Sequence, residues 1–249
     1  QTTWNEVGTP GNNDTVSIAA GHVVTIPDGS NVTVGTSGAT GTTAVTINGS
    51  AGSGQGQLIL GQTTGATLTL RGDMVYVNTS LTKTGTFTFT MNAGSTLTFD
   101  ASQATTPLSQ IYVIGPSASN SPNTSTRIIG TQALPCTVTS NASGGNGRFS
   151  IRTFGGRTGG LTANWCNFSR LGDTTNAWLE SSMSSTSGAT DTVSLTDCTI
   201  DTCGHELQTS TMTDGVIYSF TRVRRSNTPS PTSSTCLRVS STSAPTTAS

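Results

Sequence analysis

The chain has 249 residues, of which 9% are charged, and its formal net charge is −1. That balance excludes a polyanion-binding surface of the usual basic kind, so neither nucleic acid nor an anionic membrane is an expected partner. Apolar residues make up 32% of the chain, too few and too dispersed for any membrane-spanning run, yet they recur with a regularity that disordered chains lack.

In chain order, the apolar residues fall into triplets. Val16–Ile18, Val24–Ile26, Val32–Val34, Val45–Ile47, Leu58–Leu60 and Leu68–Leu70 open the series, and Phe87–Phe89, Leu97–Phe99, the segment around Val138 and Phe149–Ile151 continue it. Each alternates apolar and polar residues with period two, often with Thr in the middle. This predicts short strands with one buried face. Between them stand turn-forming sequences such as "IPDGSN" and "NGSAGSGQG". The best helical candidate is the short stretch 174–183. The expectation is an all-β chain.

Three later segments separate a solenoid from a sandwich or barrel. "WCNFSRLG" (165–172), "DCTIDTCG" (197–204) and "FTRVRRSN" (220–227) align as repeats. Cys166, Cys198 and Thr221 hold one place, and Phe168, Ile200 and Val223 hold the next apolar place. Self-similarity at a spacing of one coil points to a right-handed parallel β-helix. The alignment predicts that Phe168, Ile200 and Val223 form one inward column and that Asp201 faces Arg224 of the next coil. Coils of this kind are expected over 131–240, with a Ser/Thr-rich tail or linker over 241–249.

Residues 193–206, "VSLTDCTIDTCGHE", concentrate two cysteines, two aspartates, a histidine and a glutamate. A metal site needs convergent ligands, but strand alternation sends Cys198 and Ile200 inward and Asp197, Thr199 and Asp201 outward. The C-x4-C spacing also departs from the C-x2-C of zinc sites. Buried thiols are the expected reading, and a Cys166–Cys198 disulfide is the alternative, since adjacent coils fall within disulfide reach. Asp197 and Asp201, four apart on an extended strand, would stand roughly 13 Å apart, too far for either carboxylate-pair glycosidase mechanism.

Other motifs carry less. "RGD" (71–73) runs straight into a strand and reads as an edge turn. "RTFGGRTGG" lacks the Gly-Lys-Ser/Thr of a phosphate loop, so no cofactor is expected. Residues 226–234 read as a loop. Glycosylation sequons such as Asn31-Val32-Thr33 are unsurprising in so Ser/Thr-rich a chain. The start at Gln1 suggests a processed product.

Residues 3–34, "TWNEVGTPGNNDTVSIAAGHVVTIPDGSNVTV", resemble the start of the eight-glycine extracellular domain. The matching features are Trp4, Pro10-Gly11, Asp14 before the first strand, and Gly21 before the second. "GQLILG", "LTLRGDMVYVN" and "GSTLTFDAS" extend the likeness to about residue 130. The resemblance implies an eight-glycine-like β-solenoid or cap over 1–130, an extracellular setting and glycan-related work, with a parallel β-helix following and no catalytic residue. The lysine-poor, Ser/Thr-rich composition itself suits an extracellular or virion surface.

The functional expectation is therefore a non-catalytic surface solenoid, an adhesin, fibre or filament subunit, that contacts a glycan or self-associates. A polysaccharide-degrading β-helix enzyme is the alternative. The candidate contact residues are Trp165 and Phe220, placed outward beside Asp197, with Asn167 and Arg222 nearby and Trp178 on an adjoining insertion. Aromatic faces beside hydrogen-bonding groups suit sugar rings. A covering loop or a partner subunit would explain the same aromatics.

Overall fold

The structure is a computed structural model. It describes residues 10, 13–36, 42–50, 54–78, 86–100, 109–114, 123–141, 147–153, 159–172, 178–183, 191–203, 208–210, 216–226 and 238–240.

The described chain is a parallel β-solenoid. Each coil delivers one strand to each of three sheets, so strand neighbours in space are about one coil apart in sequence. The first sheet begins with Val16–Ile18, pairs it with Thr43–Ser50, and ends at Arg238–Ser240. The second runs from Val23–Ile26 to Val216–Thr221, and the third from Asn31–Val34 to Arg224–Ser226. Pairing is parallel throughout except for the two-residue strand Gly54–Gln55, which folds back on the end of Thr43–Ser50. All three sheets pass residue 130 without a break. No helix occurs among the described residues; within the helical candidate at 174–183, Leu179–Met183 is a strand of the first sheet. Burying Trp178 and Leu179 in the coil interior decided that segment.

Alternation sets the core. In the third sheet the middle residues Val32, Leu68, Leu97, Val138, Phe168 and Ile200 are in register and buried. The second sheet adds the column Ile26, Leu60, Met91, Ile128, Ala163 and Leu195. Short strands survive here because their backbones pair with the neighbouring coils and alternate side chains enter a continuous core.

The alignment of the last repeat is corrected by the register. Ile200 pairs with Arg225, and Thr199 with Arg224, so the coil spans 25 residues and the sequence alignment is displaced by two. Val223 therefore continues the column of Cys198, and Thr221 closes the second-sheet strand opposite Thr196. A slip of two preserves the inward–outward alternation, so period-two patterning is blind to it. Asp201 accordingly meets Ser226, whose hydroxyl donates to its carboxylate at 3.0 Å, and not Arg224. Arg225 thus stands in the place where the third sheet's apolar column would have continued.

The thiols are free, as Cys136, Cys166, Cys198 and Cys203 are all buried and unbridged. Cys136 pairs with Cys166, and the pairing of Asn167 with Thr199 sets Cys198 next in the same column. Burial pushes the Cys136 thiol up to about 11 and raises Cys166 and Cys198 as well. All three act as small apolar fillers. Cys236 lies outside the described residues.

Outward residues of the third sheet form two ranks. One is Asn31, Thr67, Thr96, Thr137, Asn167 and Thr199; the other is Thr33, Thr69, Thr98, Thr139, Ser169 and Asp201. Cross-strand bonds run along them: Ser169 donates to Thr139 at 2.9 Å and Thr199 to the Asn167 carbonyl at 2.6 Å.

At the corner between Val23–Ile26 and Asn31–Val34, Asp28 staples one coil to the next. Its carboxylate accepts backbone N–H groups of Gln62 at 2.7 Å, Thr63 at 3.0 Å and Gly65 at 3.0 Å, and the Thr63 hydroxyl at 2.7 Å. The Gln62 N–H bond foremost, then the Thr63 hydroxyl, hold the Asp28 carboxyl well below the usual carboxylate range. A folded pKa below the unfolded one contributes stability above the unfolded value and loses it as pH falls through the acid range. Asp28→Asn should lower the thermal midpoint at neutral pH, and the gap to the parent protein should close on acidification; a gap independent of pH would show that the charge is irrelevant.

Candidate functional site

The third sheet is entered through a one-residue corner, and in three successive coils that residue is Trp165, Asp197 and Arg222. All three are left-handed, with φ of 49°, 54° and 52°. Non-glycine residues adopt this conformation at a cost of about 1–2 kcal/mol each, so the neighbouring coils must hold it. They do so through the backbone: the Trp165 N–H donates to the Thr196 carbonyl at 3.0 Å, and the Asp197 N–H to that of Thr221 at 2.9 Å. The corner therefore presents an aromatic, an acid and a base in a line, one per coil, on fixed backbone.

Arg222 binds Asp197 with two parallel bonds, Nε to Oδ1 at 2.5 Å and the terminal nitrogen to Oδ2 at 2.6 Å. This fork fits a carboxylate in both position and direction. It lowers the Asp197 pKa, chiefly through the side-chain hydrogen bond, and raises that of Arg222. Asp197 is thus a fixed anion, poorly suited to deliver or collect protons. Its place at a corner also removes the expected geometry in which Asp197 and Asp201 share one extended face. Asp201 lies on the third sheet and receives Ser226. His205 and Glu206 lie outside the described residues.

Of the five residues singled out from sequence, the structure brings three together. Trp165 and Arg222 share the corner, and Asn167 lies two residues beyond Trp165 on the outward face, bonded to Thr199. The other two are elsewhere. Phe220 pairs in register with Leu195 in an inward column; it is 43% exposed because it belongs to the last strand of the second sheet, and it stacks with Tyr218 at 6.2 Å. Trp178 is buried in the core, its ring 4.9 Å from that of Phe168. Neither stands on the outward face beside Asp197.

Arg71 of the RGD tripeptide pairs with Asp100 at 2.9 Å, Asp100 also accepts the Asn141 amide at 2.5 Å, and Asp73 is buried. The tripeptide is built into a coil corner, as an edge turn should be. Among the described residues no group of three or more His, Cys, Asp or Glu side chains is placed to hold a metal ion, and no helix is long and apolar enough to cross a membrane.

No family model, curated protein or solved structure matches this chain.

The site rests on its own geometry. Sequence reasoning missed that Asp197 and Arg222 are consecutive corner residues, because the displaced alignment put Thr221 where Val223 belongs. The signal was present in the unbroken strand 216–221, which leaves Arg222 as the first residue free to turn.

Proposed function

We propose that this chain is a non-catalytic extracellular or virion surface solenoid whose work is contact with a neutral glycan, in the manner of an adhesin or fibre subunit. The observation that carries this reading is the corner line Trp165–Asp197–Arg222 beside Asn167 and Thr199. An indole offers a face for the apolar side of a sugar ring, and a fixed carboxylate–guanidinium pair offers acceptors and donors for its hydroxyls. Rigid backbone at the corner spares the ordering cost that a loop site would incur on binding. The likeness of residues 3–130 to the eight-glycine domain supports the extracellular setting and the glycan class.

A hydrolytic depolymerase of the paired-carboxylate kind would need a protonatable acid and a second carboxylate converging on one bond. Asp197 is committed to Arg222, and Asp201 to Ser226. Asp197→Asn and Asp201→Asn are therefore expected to change no polysaccharide-cleaving activity, because none accompanies the parent chain.

The deciding measurement is a glycan array read with the parent protein and with Trp165→Ala. Binding to a neutral oligosaccharide should weaken about fivefold or more on losing one stacked aromatic, a truncation that costs at least about 1 kcal/mol, with unfolding unchanged to within about 1 kcal/mol. Equal binding by both proteins would remove the corner from the site, and cleavage of any glycan abolished by Asp197→Asn would replace contact with catalysis.

A further inference from the structure

The outward face of the third sheet is more regular than the composition of the chain requires. From Asn31 and Thr33 to Asn167 and Ser169, five consecutive strands present only Thr, Ser or Asn in both outward ranks, with no ionisable group. The second sheet, built from the same Thr-rich sequence, interrupts its outward ranks with Val23, Gln57, Ile59, Arg127 and Gly160. Its irregularity serves as an internal control: β-propensity and cross-strand Thr pairing act on both sheets alike, so they do not explain why one face alone is uniform.

The spacing is set by the backbone. Within a strand the two ranks stand two residues apart, about 6.7 Å, and successive coils stand about 4.8 Å apart. The third sheet keeps this lattice in strict register, whereas the first slips between Thr43 and Val45. Each threonine adds a methyl beside its hydroxyl, and χ1 is stiff in a β-branched side chain. The result is a two-dimensional array, threonine at seven of its ten positions, whose repeat lies within about a tenth of the oxygen spacings on a prism face of ice.

We propose that this face binds ice, by holding an ordered layer of water in register with the ice lattice. Charge favours that occupant. Ice is a neutral lattice of donors and acceptors, and the five strands that precede Asp201 and Arg224 on this face match it with no ionisable group, whereas an anionic polymer would find no counter-charge in them. A crystalline polysaccharide is less well served, since no aromatic ring projects from these ranks. Hydroxyls both donate and accept, so they can join a water lattice in either sense.

The test uses the full chain in a nanolitre osmometer and in an ice-recrystallisation assay, with Thr98→Tyr at the centre of the array. Thr90→Tyr, on the outward face of the second sheet, is the matched control. The parent protein should shape ice crystals and open a gap between melting and freezing. Thr98→Tyr should lose that gap, Thr90→Tyr should keep it, and both should unfold at the parent temperature. If Thr98→Tyr fails to fold, Thr98→Val gives a second reading, since it removes one hydroxyl and keeps the shape; a reduced gap is then expected. Growth of unshaped crystals by the parent protein would overturn the proposal, as would equal loss in the Thr90→Tyr control. So would capture on insoluble cellulose or chitin without any effect on ice, which would assign the face to a glycan. Trp165→Ala should leave the ice gap intact, so failure of the corner site and failure of this face give different results.

Discussion

Phe168→Ala should cost about 3–5 kcal/mol, the range for deleting a fully enclosed aromatic ring. Phe168 has no exposed surface, lies between Val138 and Ile200 in its column, and packs its ring 4.9 Å from Trp178. The backbone of a solenoid is pinned by coils on both sides, so the cavity cannot collapse readily. Urea unfolding followed by tryptophan fluorescence should show an earlier midpoint with an unchanged slope. Buried Trp178 then reports directly on the coil affected. A loss below about 1 kcal/mol would mean that the ring is not enclosed.

Gly65→Ala should exceed Gly29→Ala in cost by about 1–3 kcal/mol, the range for forcing extra atoms into filled space. Both glycines are left-handed, with φ of 92° and 73°. They share the conformational penalty that any Cβ would introduce. They differ in surroundings: a Cβ on Gly29 meets nothing within 4 Å, whereas one on Gly65 runs into the backbone of Gly94 in the next coil. That backbone has no side-chain rotamer to give way. Thermal unfolding of the two variants side by side separates strain from overlap, and equal losses would show that the coils can move apart at this corner.

The coil interiors were legible in the sequence because a buried face repeats every second residue. Triplets such as Val24–Ile26, Leu68–Leu70 and Leu97–Phe99 all fell on strands with the predicted side inward. The position of each corner was harder to read, because a single left-handed residue such as Asp197 has no composition of its own. The error at Phe220 followed from this. A tryptophan or phenylalanine near a corner looks outward or inward according to where the turn falls, and a displacement by two moved Phe220 from an inward column to an imagined surface. Trp178 misled for another reason: it arrives from a polar insertion, and only its contact with Phe168 reveals that it enters the core. The uniform Thr ranks were written in plain view, but their significance depends on which strands become neighbours, and that is a property of the coil length.

Arg225 has a consequence for how copies of this chain can meet. It occupies the place in the third sheet that Ile200, Phe168 and Val138 fill in earlier coils, at the last strand of that sheet among the described residues. A cationic residue at that register position makes a poor template for another apolar layer, since the strand laid beside it would continue the column of Val138, Phe168 and Ile200 from a charge. Extension of this sheet by a further apolar strand is thereby discouraged at this position, much as a gatekeeper charge interrupts cross-β growth.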